Sequence, residues 1–295
     1  MFRFYKIALS LSLLLIFFGS QAQTPGPGNI LYVDKNVVGG NGSGDSWVNA
    51  MTNLSDALIW ANNNQSSWSV VDPLKIFVAK GVYKPLYSPQ DGANFGTDQG
   101  QKNAFFMVKN VQVYGGFFGN ETSLAGGDLN NPADKTTLRG DVTGDDVISG
   151  TGSTLNISNN SENLYHVLIS AGDVESGLLD GFTITGGNAS SGGGITVNAQ
   201  TINNVHGGGI FVISSAPDLR NLTIRGNGGT HAAAIFSRAA SPKLFRVVIQ
   251  QNKTPGDGGG MQNNSSSPAL TNVILMGNNA GSRGAGLYNT SNSAP

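Results

Sequence analysis

Gly207-Gly208-Gly209-Ile210, Ala232-Ala233-Ala234-Ile235, Gly258-Gly259-Gly260-Met261 and Gly284-Ala285-Gly286-Leu287 are four copies of one motif, a run of small residues closed by an apolar one. Their last residues stand 25, 26 and 26 positions apart. Prolines keep step at Pro217, Pro242, Pro268 and Pro295, and asparagines at Asn227, Asn252 and Asn278. A unit this short cannot bury an apolar side of its own, so it must stack on its neighbours as a solenoid.

Each repeat also carries three apolar residues at offsets of three and then two: Leu219, Leu222, Ile224; Leu244, Val247, Ile249; Leu270, Val273, Leu275. Leu179, Phe182 and Ile184 fit the same spacing one repeat earlier. The offset of two is strand alternation, and the offset of three implies a bend before that strand. Gly, Asn and Pro interrupt every repeat, which argues against helix. The expected fold is all-β, a right-handed parallel β-helix with strands about 4.8 Å apart. Stacking would set Asn227, Asn252 and Asn278 in a ladder of side-chain amides, in turns whose left-handed backbone asparagine tolerates. Ala232, Ala233 and Ala234 replace a whole glycine run, so the seam is read as requiring small size rather than special dihedrals.

Upstream, Leu54, Ala57, Leu58 and Ala61 fall on one face of a helix expected over residues 54–62, with Asn53 at its start. An open solenoid end exposes strand edges, and this helix is expected to cap it, with Trp47 and Trp60 as cap packing. Strands are expected over residues 75–79, 105–108, 111–114 and 164–169. The 40-residue interval from Leu179 to Leu219 exceeds one coil, and the excess, within residues 189–206, is expected to leave a turn as a loop.

The organisation is a signal peptide (1–22), a cap with the first coils (23–160) and the repeat-bearing β-helix (161–295), which is expected to be cut short mid-coil at Pro295. Arg3 and Lys6 precede an apolar run over residues 7–18, and Ser20-Gln21-Ala22 is a small-x-small cleavage site. With no cysteine, the exported chain cannot rely on disulfides. The last 89 residues carry Asp218 and Asp257 against seven bases. That balance could draw anionic polysaccharide or a lipopolysaccharide surface, although ordinary solvated charge is the simpler reading.

The Gly-Gly-small-apolar runs, with Ile224-x-x-Asn227, Ile249-x-x-Asn252 and Leu275-x-x-Asn278, resemble the polymorphic outer-membrane protein repeat, with Ile or Leu where that family has phenylalanine. More widely, Leu31-Tyr32-Val33-Asp34, Tyr114-Gly115-Gly116-Phe117 and Gly140-Asp141 are similar to segments of secreted β-helix proteins of Bacteroidetes-type bacteria, in the pectin-lyase-like group. The resemblance implies a surface molecule of a Gram-negative cell. It also implies kinship with polysaccharide lyases, which use Ca²⁺ and an Arg or Lys base, and with hydrolases that use paired carboxylates.

Membership of a fold confers no activity, and two acids cannot build stacked carboxylate clusters in the repeats. No catalytic or cofactor-binding residues are assigned. Asp141, Asp145 and Asp146, spaced around Gly144, are the candidate metal ligands, with Ca²⁺ as the ion. His166, His206 and His231 are scattered without ligand spacing and are read as structural. The glycine runs open no βαβ unit, which excludes a phosphate loop, and no nucleic-acid partner is expected. The leading expectation is an exported, monomeric, non-catalytic adhesin-like scaffold that contacts polysaccharide or cell-surface glycan. A polysaccharide lyase or glycoside hydrolase is the alternative, and a purely structural spacer the third reading.

Overall fold

Left-handed residues at its corners explain how a repeat this short closes on itself. The computed structural model describes residues 22–121, 123 and 136–295; the expected export signal lies outside these residues apart from Ala22. In the repeat that begins at Gly207, strand Ile210–Ile213 is followed by Asp218–Arg220, Thr223–Arg225 and the two-residue strand Gly228–Gly229, before Ile235–Arg238 starts the next coil. Ser214, Asn221 and Gly226 stand at the intervening corners, with φ of 49°, 50° and 63°. Asn221 accounts for the offset of three. Leu219 points inward and Arg220 outward, Asn221 turns the chain, and Leu222 points inward again with both leucines fully buried.

Equivalent strands pair in parallel from coil to coil, so the all-β parallel solenoid expected from the repeat is the observed architecture. The first sheet has seven strands, Ile30–Val33, Leu74–Ala79, Val111–Phe117, Leu178–Asp180, Asp218–Arg220, Lys243–Phe245 and Ala269–Thr271 in that order. The second sheet runs from Val82–Tyr83 and Thr136–Arg139 through Phe182–Thr185 and Thr223–Arg225 to Ile274–Met276. The third runs from Phe105–Phe106 and Leu168–Ala171 through Ile210–Ile213 to Leu287–Thr290. A narrow fourth ribbon joins Asn188–Ala189, Gly228–Gly229, Lys253–Thr254 and Asn279–Ala280.

Register stacks like on like. Leu31, Ile76, Val113, Leu179, Leu219, Leu244 and Leu270 form one column of the first sheet. Leu138, Ile184, Ile224, Ile249 and Leu275 form one of the second. Burying each such side chain contributes about 1.5–3 kcal/mol, so stability rises coil by coil. The helix spans Leu54–Asn63 and sets Leu54, Ala57, Leu58 and Ala61 into the same apolar cluster as Leu31 and Ile76. Asn53 is its N-cap residue, yet its side chain makes no capping bond and contacts Thr52 instead.

The asparagine ladder is present. Backbone N of Asn227 and of Asn252 each donate 3.0 Å to Oδ1 of the next asparagine. Their Nδ2 atoms donate to the same oxygens at 3.0 and 2.9 Å. The ladder reaches back one coil, where Gly187 N donates to Asn227 Oδ1.

Two conformational expectations are corrected. The ladder asparagines are not left-handed; the residues before them are, Gly226, Gln251 and Gly277 at φ 63°, 52° and 62°. The side-chain amide is therefore selected for hydrogen bonding, and the turn falls on its predecessor. At the seam, dihedrals matter after all: Gly207, Ala232, Gly258 and Gly284 sit at φ 69°, 48°, 74° and 63°. The size requirement holds at the two residues that follow, since a Cβ on Gly208 would meet Gly228 O of its own coil at 2.0 Å, and one on Gly209 would meet Ala234 O of the next coil at 2.6 Å. Ala232 keeps the left-handed turn at the cost of strain.

The excess over residues 189–206 is an antiparallel hairpin, Gly194–Val197 with Gln200–Asn203. It is not a solvated loop. Ile195, Val197 and Ile202 are buried with Ile169, Phe211, Ile213 and Phe236 of the third sheet. A second hairpin, Val147–Ser149 with Asn156–Ser158, leaves the coil after the second-sheet strand Thr136–Arg139.

Candidate functional site

Strand Thr136–Arg139 ends at Gly140, whose N donates to Thr185 O of the next coil at 2.9 Å. A Cβ on Gly140 would come within 2.6 Å of Gly186 O, so the chain leaves the coil pressed against its neighbour. That contact fixes Asp141, which is 4 % exposed. Its Oδ1 accepts from Gly144 N and its Oδ2 from Asp146 N, which closes the 141–146 segment into a tight loop. The hairpin that follows carries the chain out and returns it to Glu162 and Asn163. Carboxylate oxygens of Asp141, Asp146 and Glu162 then lie within 4.8 Å of one another.

The sequence-level candidates are thus brought together in part. Asp141 and Asp146 meet. Asp145 is exposed and turned toward the Thr143 hydroxyl, outside the group. Its place is taken by Glu162, whose Oε1 lies 2.9 Å from Thr143 Oγ1. The missed signal is the pair Val147-Ile148-Ser149 and Asn156-Ile157-Ser158, two alternating runs around a glycine-containing turn, whose pairing returns position 162 to position 146.

Asp146 sits in an unusual environment. Burial pushes its carboxyl up to about 6; the charges of Asp141, Glu162 and Asp145 add to the rise, and Asn163 Nδ2, donating at 2.8 Å, opposes it. Asp146 Oδ1, Asn163 Oδ1 and Arg139 Nε are buried and meet no hydrogen-bond partner among the described residues. A cavity of about 360 Å³ adjoins the acids, lined among others by Lys84, Asp98, Gln101, Arg139 and Glu162. Lys84 Nζ is held 2.5 Å from Val142 O.

The histidines, scattered in sequence, gather at one edge of the coils. His166 stands just before strand Leu168–Ala171, fully buried against Phe211 with Nδ1 donating 3.0 Å to Gly207 O. His206 and His231 stack with ring centroids 5.1 Å apart. Directly above in the same column, Asp257 N donates to His231 Nδ1, and Arg283 pairs with Asp257 at 2.8 Å. Among the described residues, only the set of Asp141, Asp146 and Glu162 brings three metal-ligating atoms this close.

A second concave surface lies on the outer face of the first sheet. Asp218 and Lys243 occupy one outward column, and Arg220, Phe245 and Thr271 the next. Together they line a groove of about 400 Å³. Arg220 pairs with Asp218 through two nitrogens, and Arg246 lies 5.0 Å over the Phe245 ring. Closer to the N-terminus the same outward columns turn aromatic: Tyr32, Phe77 and Tyr114 follow in register under Trp47. Trp60, on the helix, packs on Trp68, whereas Trp47, expected in the cap, lies instead on Tyr32 and Phe117 of these outward columns.

No family model, no curated protein and no solved structure matches this chain. Among the described residues, no helix is long and apolar enough to cross a membrane.

Proposed function

We propose that the chain is an exported scaffold of a Gram-negative cell surface, a right-handed parallel β-helix of the pectin-lyase-like group that contacts polysaccharide without cleaving it. The helix Leu54–Asn63 serves as its N-terminal cap. Right-handed winding is what parallel crossover connections favour. The observation that carries the binding role is the groove on the first sheet. It combines an aromatic ring, Phe245, with Arg220 and Lys243 on a rigid in-register surface, the combination that stacks on sugar faces and pairs with uronate carboxylates. Arg220 pairs with Asp218 through Nε and one terminal nitrogen, which leaves its other terminal nitrogen, together with Lys243, to meet a uronate carboxylate. An anionic polysaccharide is accordingly the partner class.

The test is a glycan array read alongside a reducing-end assay. Retention of uronate-rich glycans, with at least tenfold loss in Arg220→Ala and no reducing ends released, supports the reading. Depolymerisation by the purified protein overturns it.

A lyase or hydrolase is the second reading, and one observation favours it. Burial raises the Asp146 carboxyl to about 6 beside Asp141 and Glu162, and Glu162 and Arg139 line the adjoining cavity, the environment of a general acid. Cleavage abolished by Asp146→Asn would establish it.

A further inference from the structure

We infer that Asp141, Asp146 and Glu162, with the Asn163 amide, form a binding site for a hard divalent cation, with Ca²⁺ as the fitting ion. Three carboxylates alone would be an acidic loop and no more. What points to a ligand is Asn163. It is 1 % exposed, its amide faces Asp146 at 2.8 Å, and its Oδ1 meets no donor among the described residues. Asp146 Oδ1 is likewise buried without a donor. A buried oxygen lacking a donor forfeits its solvation, so each of these two calls for a positive partner. A half-turn of the Asn163 amide would present its oxygen where its nitrogen now stands, and two oxygens at that separation suit a shared cation.

The donor set is all oxygen: three carboxylates and an amide, with the Thr143 hydroxyl beside Glu162. Ca²⁺ takes six to eight oxygens in irregular geometry and completes its shell with water, whereas Mg²⁺ demands a near-ideal octahedron. A loop whose carboxylates lie on two separate segments, 141–146 and 162–163, fits the more permissive ion. The cation would tie the base of the hairpin Val147–Ser149/Asn156–Ser158 to the coil.

Calorimetric titration of the full chain with CaCl₂ at pH 7.5, after EDTA and dialysis, tests the site directly. We expect saturable binding of one ion per chain with a dissociation constant of about 10⁻⁴–10⁻³ M, as in extracellular modules. Binding should weaken at least tenfold in Glu162→Gln and in Asn163→Ala, and stay unchanged in Asp145→Asn. Because a variant could misfold, protease protection of the wild-type hairpin with and without 5 mM CaCl₂ gives a second readout, expected to rise with the ion. No binding up to about 10 mM, or binding lost in Asp145→Asn but kept in Glu162→Gln, overturns the inference.

Discussion

Asn227 gives both its backbone N and its Nδ2 to a single atom, Oδ1 of Asn252, each at 3.0 Å. Asn252 repeats the arrangement on Asn278. The ladder therefore satisfies buried main chain and side chain together, and it does so at the corner between the second-sheet strands and the fourth ribbon.

Asn252→Ala is expected to destabilise the fold by roughly 1–3 kcal/mol, because it strands the buried backbone N of Asn227, while Asn227 Nδ2 keeps Ile184 O and Asn278 Oδ1 keeps the Asn252 backbone N. Equilibrium urea unfolding checks the magnitude. Asn252→Asp should cost more than alanine at pH 7, since it adds a buried charge. Equal stability of wild type and Asn252→Ala would remove the ladder from the list of stabilising features.

A pH effect follows from the histidine edge. Burial holds His166 and His206 down to about 4, and for His206 the His231 and Arg238 charges add to the fall. A depressed base binds its proton more readily when unfolded, so its contribution is complete above about 6.5 and is lost as pH falls toward 4. For His206, partly exposed, the loss is roughly 2 kcal/mol after discounting for solvent. Melting temperature measured from pH 7 to pH 4 should fall, and His206→Asn should flatten the slope.

The repeat spacing made the architecture legible because stacking is a one-dimensional constraint. Period, inward columns and ladder all follow from like residues sitting above like. The backbone roles were not legible. Glycine, alanine, asparagine and arginine all occupy left-handed corners, as Gly226, Ala232, Asn221 and Arg246 show, so residue type alone does not locate them. The acid cluster was half legible for a different reason. Asp141 and Asp146 are close in sequence, whereas Glu162 reaches them through an antiparallel hairpin that breaks the solenoid period. The histidine edge was hidden by unequal spacing, since the 40-residue interval contains the buried hairpin.

Asp146 should act in the opposite sense to the histidines. Its carboxyl is raised by burial to about 6, so its favourable, protonated state is present below about 4 and is lost as pH rises through 6. In EDTA at pH 7.5, Asp146→Asn is expected to stabilise the chain by about 1 kcal/mol after allowing for its partial exposure, a rise of roughly 2 °C in melting temperature. The gain should vanish at pH 4. A variant less stable than wild type at both pH values would show that the Asp146 charge is compensated.

The hairpin on the third sheet carries a turn with room for improvement. Asn198 and Ala199 both adopt positive φ, 48° and 60°, the signature of a tight turn for which Asn-Gly is the preferred pair. Asp91 clamps this turn: its two carboxylate oxygens accept from Asn198 N at 2.8 Å and Ala199 N at 2.9 Å, and its own N donates to Thr196 O at 2.8 Å. Ala199 is exposed, so its methyl group contributes strain and little packing. Ala199→Gly should therefore stabilise the hairpin by about 0.5–1 kcal/mol. Asp91→Ala should loosen it, because two turn amides lose a charged acceptor. Amide hydrogen exchange over residues 194–203 reads both changes, slower in the first variant and faster in the second. Equal exchange in Asp91→Ala and wild type would mean that the apolar contacts of Ile195, Val197 and Ile202 hold the hairpin unaided.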